Sequence, residues 1–215
     1  MTYALIYLLL FGANMLIAFV IYVWMPDYRV YLITEDSLVE NLSAFFFLST
    51  FFLGFIMSVK NKKNRQILRI VSAVGLLCFL DEVSFGERLF ALDIYHIYGT
   101  KIDAVHDFIK LGYKVLLNYT HSYAGVVYPL LAICAILAIL GVLKYRTELI
   151  AKISHSYSNQ TYVLALIFVS LVLGAIILDL DLLHIRGALV LEELFEMNAG
   201  LALLFCCLSL HKDKS

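Results

Sequence analysis

The sequence predicts an all-α, polytopic membrane bundle of six transmembrane helices plus an outer amphipathic helix, in one domain over residues 1–215. Three observations carry this reading. Hydrophobic residues make up 62% of the 215 positions and charged residues 15%, against roughly half and a quarter in soluble domains. Six apolar runs are each long enough to cross about 30 Å of hydrocarbon as helix. Only two prolines occur, Pro26 and Pro129, which suits helices that continue without a break.

The runs lie near 3–25, 36–59, 67–91, 121–144, 161–183 and 188–210. The first has no basic segment ahead of it and no small-residue cleavage site after it, so it is expected to stay as an anchor rather than leave as a signal peptide. Pro26 ends it. Lys60, Lys62, Lys63 and Arg65 separate the second run from the third. The stretch from Leu92 to Thr120 is too long for a simple turn. Within it, Ile102, Val105, Ile109, Gly112 and Leu116 recur at spacings of three and four, opposite Asp103, His106, Asp107, Lys110 and Lys114. That pattern predicts a helix near 101–117 lying in the membrane interface. Tyr22, Trp24, Tyr28 and Tyr31 mark an interfacial aromatic belt.

Lysine and arginine set the orientation. With six spans, the loop holding Lys60, Lys62, Lys63, Arg65 and Arg69 shares a side with Lys144, Arg146, Lys152, Lys212 and Lys214. Ten of the 16 basic residues then face the cytoplasm with both termini, and only Glu148 and Asp213 of the 17 acidic residues join them. The expected location is a bacterial cytoplasmic (inner) membrane. A net charge of −1 gives no reason to expect nucleic acid as a partner. The four cysteines fall in apolar runs without CxxC spacing and read as small core residues.

The other 15 acidic residues therefore gather on the outer side, several of them inside apolar helices. Carboxylates there are costly and face a protein interior or a water-filled cavity. Counting 1.5 Å per residue, Glu40 lies roughly 6–9 Å below the outer end of its helix and Glu192, Glu193 and Glu196 roughly 6–12 Å. Asp81 and Glu82 approach the same level from the third run. Glu192 and Glu196 are four apart and share a helix face, as do Glu193 and Glu196 three apart. Such groups cannot all stay ionised side by side without a cation, a proton or a metal.

Three chemistries fit. In the first, Glu82, Glu193, Glu196, His106 and His184 hold a divalent metal such as zinc or manganese that activates water. Glu40, Glu82, Glu193 and Ser84 are then the catalytic candidates, and Arg88 and Arg186 bind an anionic substrate group as guanidinium does. In the second, the acids relay cations or protons. In the third, acids and arginines form an ion-pair network that holds helices or a partner. No HExxH and no ExxH pair on one helix selects the metal reading.

Glu35-Asp36-Ser37-Leu38-Val39-Glu40 resembles an acidic signature at the outer start of a helix in a widespread group of bacterial multi-span membrane proteins. Asp81-Glu82-Val83-Ser84-Phe85-Gly86-Glu87-Arg88-Leu89-Phe90 resembles that group's acidic pair followed by Ser, an aromatic, Gly, a polar residue, Arg and an apolar-Phe ending. The group has no established activity, so the resemblance implies shared site positions and no reaction. A similarity of mechanism alone extends to the alkaline ceramidase superfamily, whose membrane-embedded hydrolases hold zinc through histidines with Ser and Asp nearby. The HxxxH pair and seventh span of those enzymes are missing from this sequence.

The expected function is a metal-dependent hydrolase or transferase acting on a lipid or lipid-linked substrate. The alternatives are a cation- or proton-coupled transporter and a non-enzymatic subunit that senses or binds a partner. Membrane lipids are the expected partners, with a second copy of the chain or a co-encoded protein as further candidates.

Overall fold

A helix that is apolar around its whole circumference is satisfied only inside a protein or in lipid. The computed structural model describes residues 2–33, 37–83, 95–97, 100–102, 111, 112, 114, 115, 118, 159–179 and 187–212. Its helices are α1 (Tyr3–Trp24), α2 (Val30–Ile33), α3 (Leu38–Lys60), α4 (Arg65–Glu82), α5 (Asn159–Asp179) and α6 (Ala188–Lys212). A short 3-10 turn, Pro26–Tyr28, follows α1. Two strands, β1 (Tyr95–Ile97) and β2 (Thr100–Ile102), pair antiparallel with His96 opposite Lys101.

Helices α1, α3, α5 and α6 are long and apolar enough to cross a membrane. Their outward side chains agree with that. Leu16 on α1, Leu38 on α3 and Leu189 on α6 are each more than 60% exposed, a surface suited to lipid rather than water. The four helices differ in depth. Only 11% of the most apolar stretch of α1 is buried, against 67% in α6, so α6 is the central helix and α1 a peripheral one.

Contacts fix the directions. Met57 of α3 meets Cys207 of α6, and Val39 of α3 packs with Val190 and Leu194 near the start of α6, so these two helices run parallel. Helix α4 runs back along α3, and α5 and α1 run antiparallel to α6, as Thr161 against Ser209 and Tyr22 against Gly187 show. The buried positions of α3, namely Val39, Ser43, Phe47, Thr50, Gly54 and Ser58, recur at spacings of three and four. They form one narrow seam against α4 and α6, and small residues there let the backbones approach closely. A Cβ on Gly75 of α4 would lie 3.0 Å from the Phe47 carbonyl oxygen, and one on Gly54 would lie 3.1 Å from the Leu68 carbonyl oxygen. Side-chain hydrogen bonds join the helices where water is excluded. Ser72 Oγ donates to the Phe51 carbonyl at 2.8 Å, Asn64 Nδ2 donates to the Leu210 carbonyl at 2.8 Å, and the Thr161 and Ser209 hydroxyls lie 2.7 Å apart.

The expected spans at 3–25, 36–59, 161–183 and 188–210 correspond to α1, α3, α5 and α6. The expected span at 67–91 differs. Helix α4 covers Arg65–Glu82 and closes with Val83 in a turn, its N–H donating back to the Phe79 carbonyl at 3.1 Å. Its 18 residues reach about 27 Å, and Arg65, Arg69, Asp81 and Glu82 occupy its ends, so it is not among the four apolar candidates. Two adjacent carboxylates at a helix C-terminus oppose the dipole, an electrostatic cost that α4 carries by ending at them. The expected span at 121–144 lies outside the described residues. The expected interfacial helix near 101–117 is corrected at its start, because Lys101 and Ile102 belong to β2. Positions Leu111, Gly112, Lys114 and Val115 of that helix are helical.

The α3–α4 seam generates the first prediction. Gly75→Val forces a branched side chain against backbone and should lower stability by about 1–3 kcal/mol. Gly12→Ala, with nothing within 4 Å of its added Cβ, should be neutral or slightly stabilising. Thermal unfolding of the two variants in detergent measures the difference.

Candidate functional site

Helix direction decides which acids meet. Helices α3 and α6 both start at the end of the bundle where α4 finishes. Glu40 is the third residue of α3, Glu192, Glu193 and Glu196 fall in the first nine residues of α6, and Asp81 and Glu82 are the last two of α4. All six are partly buried. Glu82 lies within electrostatic reach of Glu193, Asp81 and Glu40, and Glu196 within reach of Glu82, Glu193, Glu192 and Asp81. Carboxylates of three helices therefore share one site.

The local sequence explains each placement. Ser37 caps α3, its Oγ accepting from the Glu40 N–H at 3.1 Å. Ser37 and Glu40 have the spacing of a capping box, so one acid of the signature also has a place in helix initiation. Glu40, in the first turn of α3, faces the positive end of that helix dipole, whereas Asp81 and Glu82 sit at the negative end of α4. The α3 terminus thus eases part of the repulsion that α4 adds. Gly200 lets α6 approach α3, where a Cβ would lie 3.1 Å from Phe46 Cβ and 3.4 Å from the Ser43 carbonyl.

Ser43 ties the site to the helix interface. Its hydroxyl donates to the Glu40 carbonyl at 2.9 Å and lies beside the Glu82 carboxyl. It is fully buried. Below the acids on α6, Asn198 is also fully buried and forms a polar node. Its Nδ2 donates to the Leu194 carbonyl at 2.7 Å and its Oδ1 accepts from Asn14 Nδ2 at 3.1 Å. Its carbonyl accepts from the Tyr7 hydroxyl at 3.4 Å. Polar contacts thus join α6 to α1 just below the acidic end. Cys78, one turn before Glu82, lies within electrostatic reach of Asp81, Glu82 and Glu196.

Of the residues expected to form the site, Glu40, Glu82, Glu193 and Glu196 come together. Ser84, Arg88, His106, His184 and Arg186 lie outside the described residues. Among the described residues, no group of three His, Cys, Asp or Glu side chains is arranged to hold a metal ion. The donors brought together are carboxylates within electrostatic reach of one another, a set able to exchange protons or hold a cation.

Ser43, Asn14 and Asn198 were not expected. Each carries a weak sequence signal, a polar side chain three or more residues inside an apolar run. For Ser43 the cue is its position three residues after Glu40, which places it on the same face.

Comparison with protein-family models, characterised proteins and solved structures finds no match to this chain.

Two predictions follow from the site. Glu82→Gln replaces one carboxyl of a crowded acidic set with a neutral isostere and should raise stability by about 1 kcal/mol, as relieved functional sites often do; a lower thermal midpoint would contradict the crowding described. Asn198→Leu leaves Asn14 without its partner and should cost about 1–3 kcal/mol, whereas Asn14→Leu with Asn198→Leu should recover much of that loss. A double-mutant cycle on thermal unfolding reads the coupling.

Proposed function

We propose that this protein is a multi-pass membrane enzyme, a hydrolase or transferase that acts on a lipid or lipid-linked substrate at the carboxylate end of its bundle. The observation that carries the reading is the meeting of Glu40, Glu82 and Glu193 from three different helices. Carboxylates in unlike environments divide the roles of general acid and general base. Glu82, against buried Ser43, is assigned the acid, and Glu193, near the start of α6, the base. Glu40 orients the pair. A lipid substrate suits a site that opens at the end of helices whose flanks are lipid-facing. The proposal includes six spans, a bacterial inner-membrane location, cytoplasmic termini and the Lys60–Arg69 loop on the cytoplasmic side. In its metal-dependent form, Glu82, Glu193 and Glu196 join His106 or His184 around zinc or manganese, with Ser84, Arg88 and Arg186 contacting substrate.

A second reading has its own support. The polar node at Asn198, which joins Asn14 and Tyr7, lies on α6 two residues past Glu196 and suits a proton or cation path.

Mass-spectrometric lipid profiling of membranes from cells expressing wild type, Glu82→Gln/Glu193→Gln or neither tests the enzyme reading. A lipid species consumed or formed only with wild type supports it, provided the double variant is present at equal level and folded. Identical profiles in all three would overturn it. Acid-driven proton uptake into liposomes, present in wild type and absent in the variant, would then favour the transport reading.

A further inference from the structure

A cleft separates α1 from α6 at the acidic end of the bundle. Its volume is about 330 Å³, the scale of a small-ligand site, and its walls are apolar, formed by Met15, Phe19 and Tyr22 of α1 and Val190, Leu191 and Leu194 of α6. From Met15 to Val23 it follows α1 for about 12 Å. The two faces of α6 serve different ends. Residues 190, 191 and 194 line the cleft, while Glu192, Glu193 and Glu196 centre about 160° around the helix, towards α3 and α4. The acids therefore do not line it.

The cleft has a cationic rim. The Arg29 guanidinium lies 4.9 Å from the centre of the Tyr22 ring, and its Nε donates to the Tyr22 carbonyl at 2.7 Å. These two contacts hold the planar fork in place, and its Nη1 and Nη2 take no partner among the described residues. Asp27, two residues earlier and exposed, makes no ion pair with it among the described residues. Trp24, Tyr28 and Tyr31, all more than half exposed, place this rim at the depth where aromatic side chains meet lipid head groups. Gly187, at φ +83°, lets the chain enter α6 beneath the Tyr22 hydroxyl, 3.2 Å from where a Cβ would stand.

We propose that the α1–α6 cleft is a binding site for an anionic phospholipid, with one acyl chain between Phe19 and Leu191 and the head-group phosphate on the Arg29 guanidinium. An apolar slot opening to lipid calls for an alkyl chain, and a preset guanidinium fork at its polar end calls for a phosphate. A single chain carrying both groups at opposite ends satisfies both demands. The site is independent of the enzyme or transport reading of the carboxylates.

Trp24 is the one tryptophan of the chain, and its ring stands 6.0 Å from that of Phe19, so it reports on the cleft. The probe is the purified full chain in phosphatidylcholine vesicles holding a small fraction of phosphatidylglycerol, with bromine on the acyl chains of one lipid or the other. Brominated phosphatidylglycerol should quench Trp24 about five-fold more effectively per mole than brominated phosphatidylcholine, the preference expected for one basic residue at a membrane surface. Arg29→Gln should abolish the preference, Arg29→Lys should keep part of it, and Leu191→Phe should weaken quenching by both lipids. Quenching that follows mole fraction equally for the two lipids would reduce the cleft to ordinary lipid contact and overturn the proposal. So would a preference that survives Arg29→Gln. Trp24 shielded from both lipids in a dimer would place a second copy in the cleft and overturn it as well.

Discussion

The burial of α6 is the constraint on which the other helices depend. It carries a continuous run of buried residues from Met197 to Leu203, covering nearly two full turns, so it needs neighbours on every side there. Helices α1, α3, α4 and α5 supply them. Each contact relies on close approach rather than on large side chains alone. Gly200 admits Phe46, Gly174 meets the Phe195 ring, and Asn198 and Ser209 bond to α1 and α5. In lipid, where apolar side chains gain little from leaving the solvent, packing and such hydrogen bonds provide the association energy.

The acidic site is a consequence of that arrangement. Because α3 lies parallel to α6 and α4 antiparallel to both, the starts of two helices and the end of a third coincide. The positive dipole end of α3 faces Glu40, and the negative end of α4 brings two more carboxylates. The electrostatics are thus compensated only in part. Six partly buried carboxylates at one end of a bundle are costly to hold together, which is why this end is the candidate functional site. Ser43 and Asn198 lie fully buried close to the acids, and the most buried helix is also the one that carries half of them.

Much of this was legible in the sequence, and the residues show why. Helices α1, α3, α5 and α6 are nearly uninterrupted apolar runs, and their limits follow from Pro26, Lys60 and the polar residues that flank them. The meeting of Glu40, Glu82 and Glu193 was also expected, because six alternating spans place their helix ends on one side. Helix α4 was harder to read. Its charged ends and 18-residue length do not resemble a long apolar run, and the acidic pair that closes it reads equally well as helix interior. The β1–β2 hairpin was missed because Ile97 and Ile102 fit either a helical or an alternating pattern. Partner contacts such as Asn14 with Asn198 join residues 184 positions apart, a pairing that no local pattern encodes. The cleft between α1 and α6 has the same origin, since its walls come from opposite ends of the chain.

Disulfide cross-linking in native membranes tests the central claim most directly. In a chain whose four cysteines are replaced by serine or alanine, Glu40→Cys with Glu193→Cys should cross-link under mild oxidation, because α3 and α6 begin side by side. Glu40→Cys with Leu210→Cys, at opposite ends of the same helices, should not. Failure of the first pair alongside unchanged expression and thermal unfolding, or equal cross-linking of both pairs, would contradict the parallel arrangement of α3 and α6 and with it the shared carboxylate site.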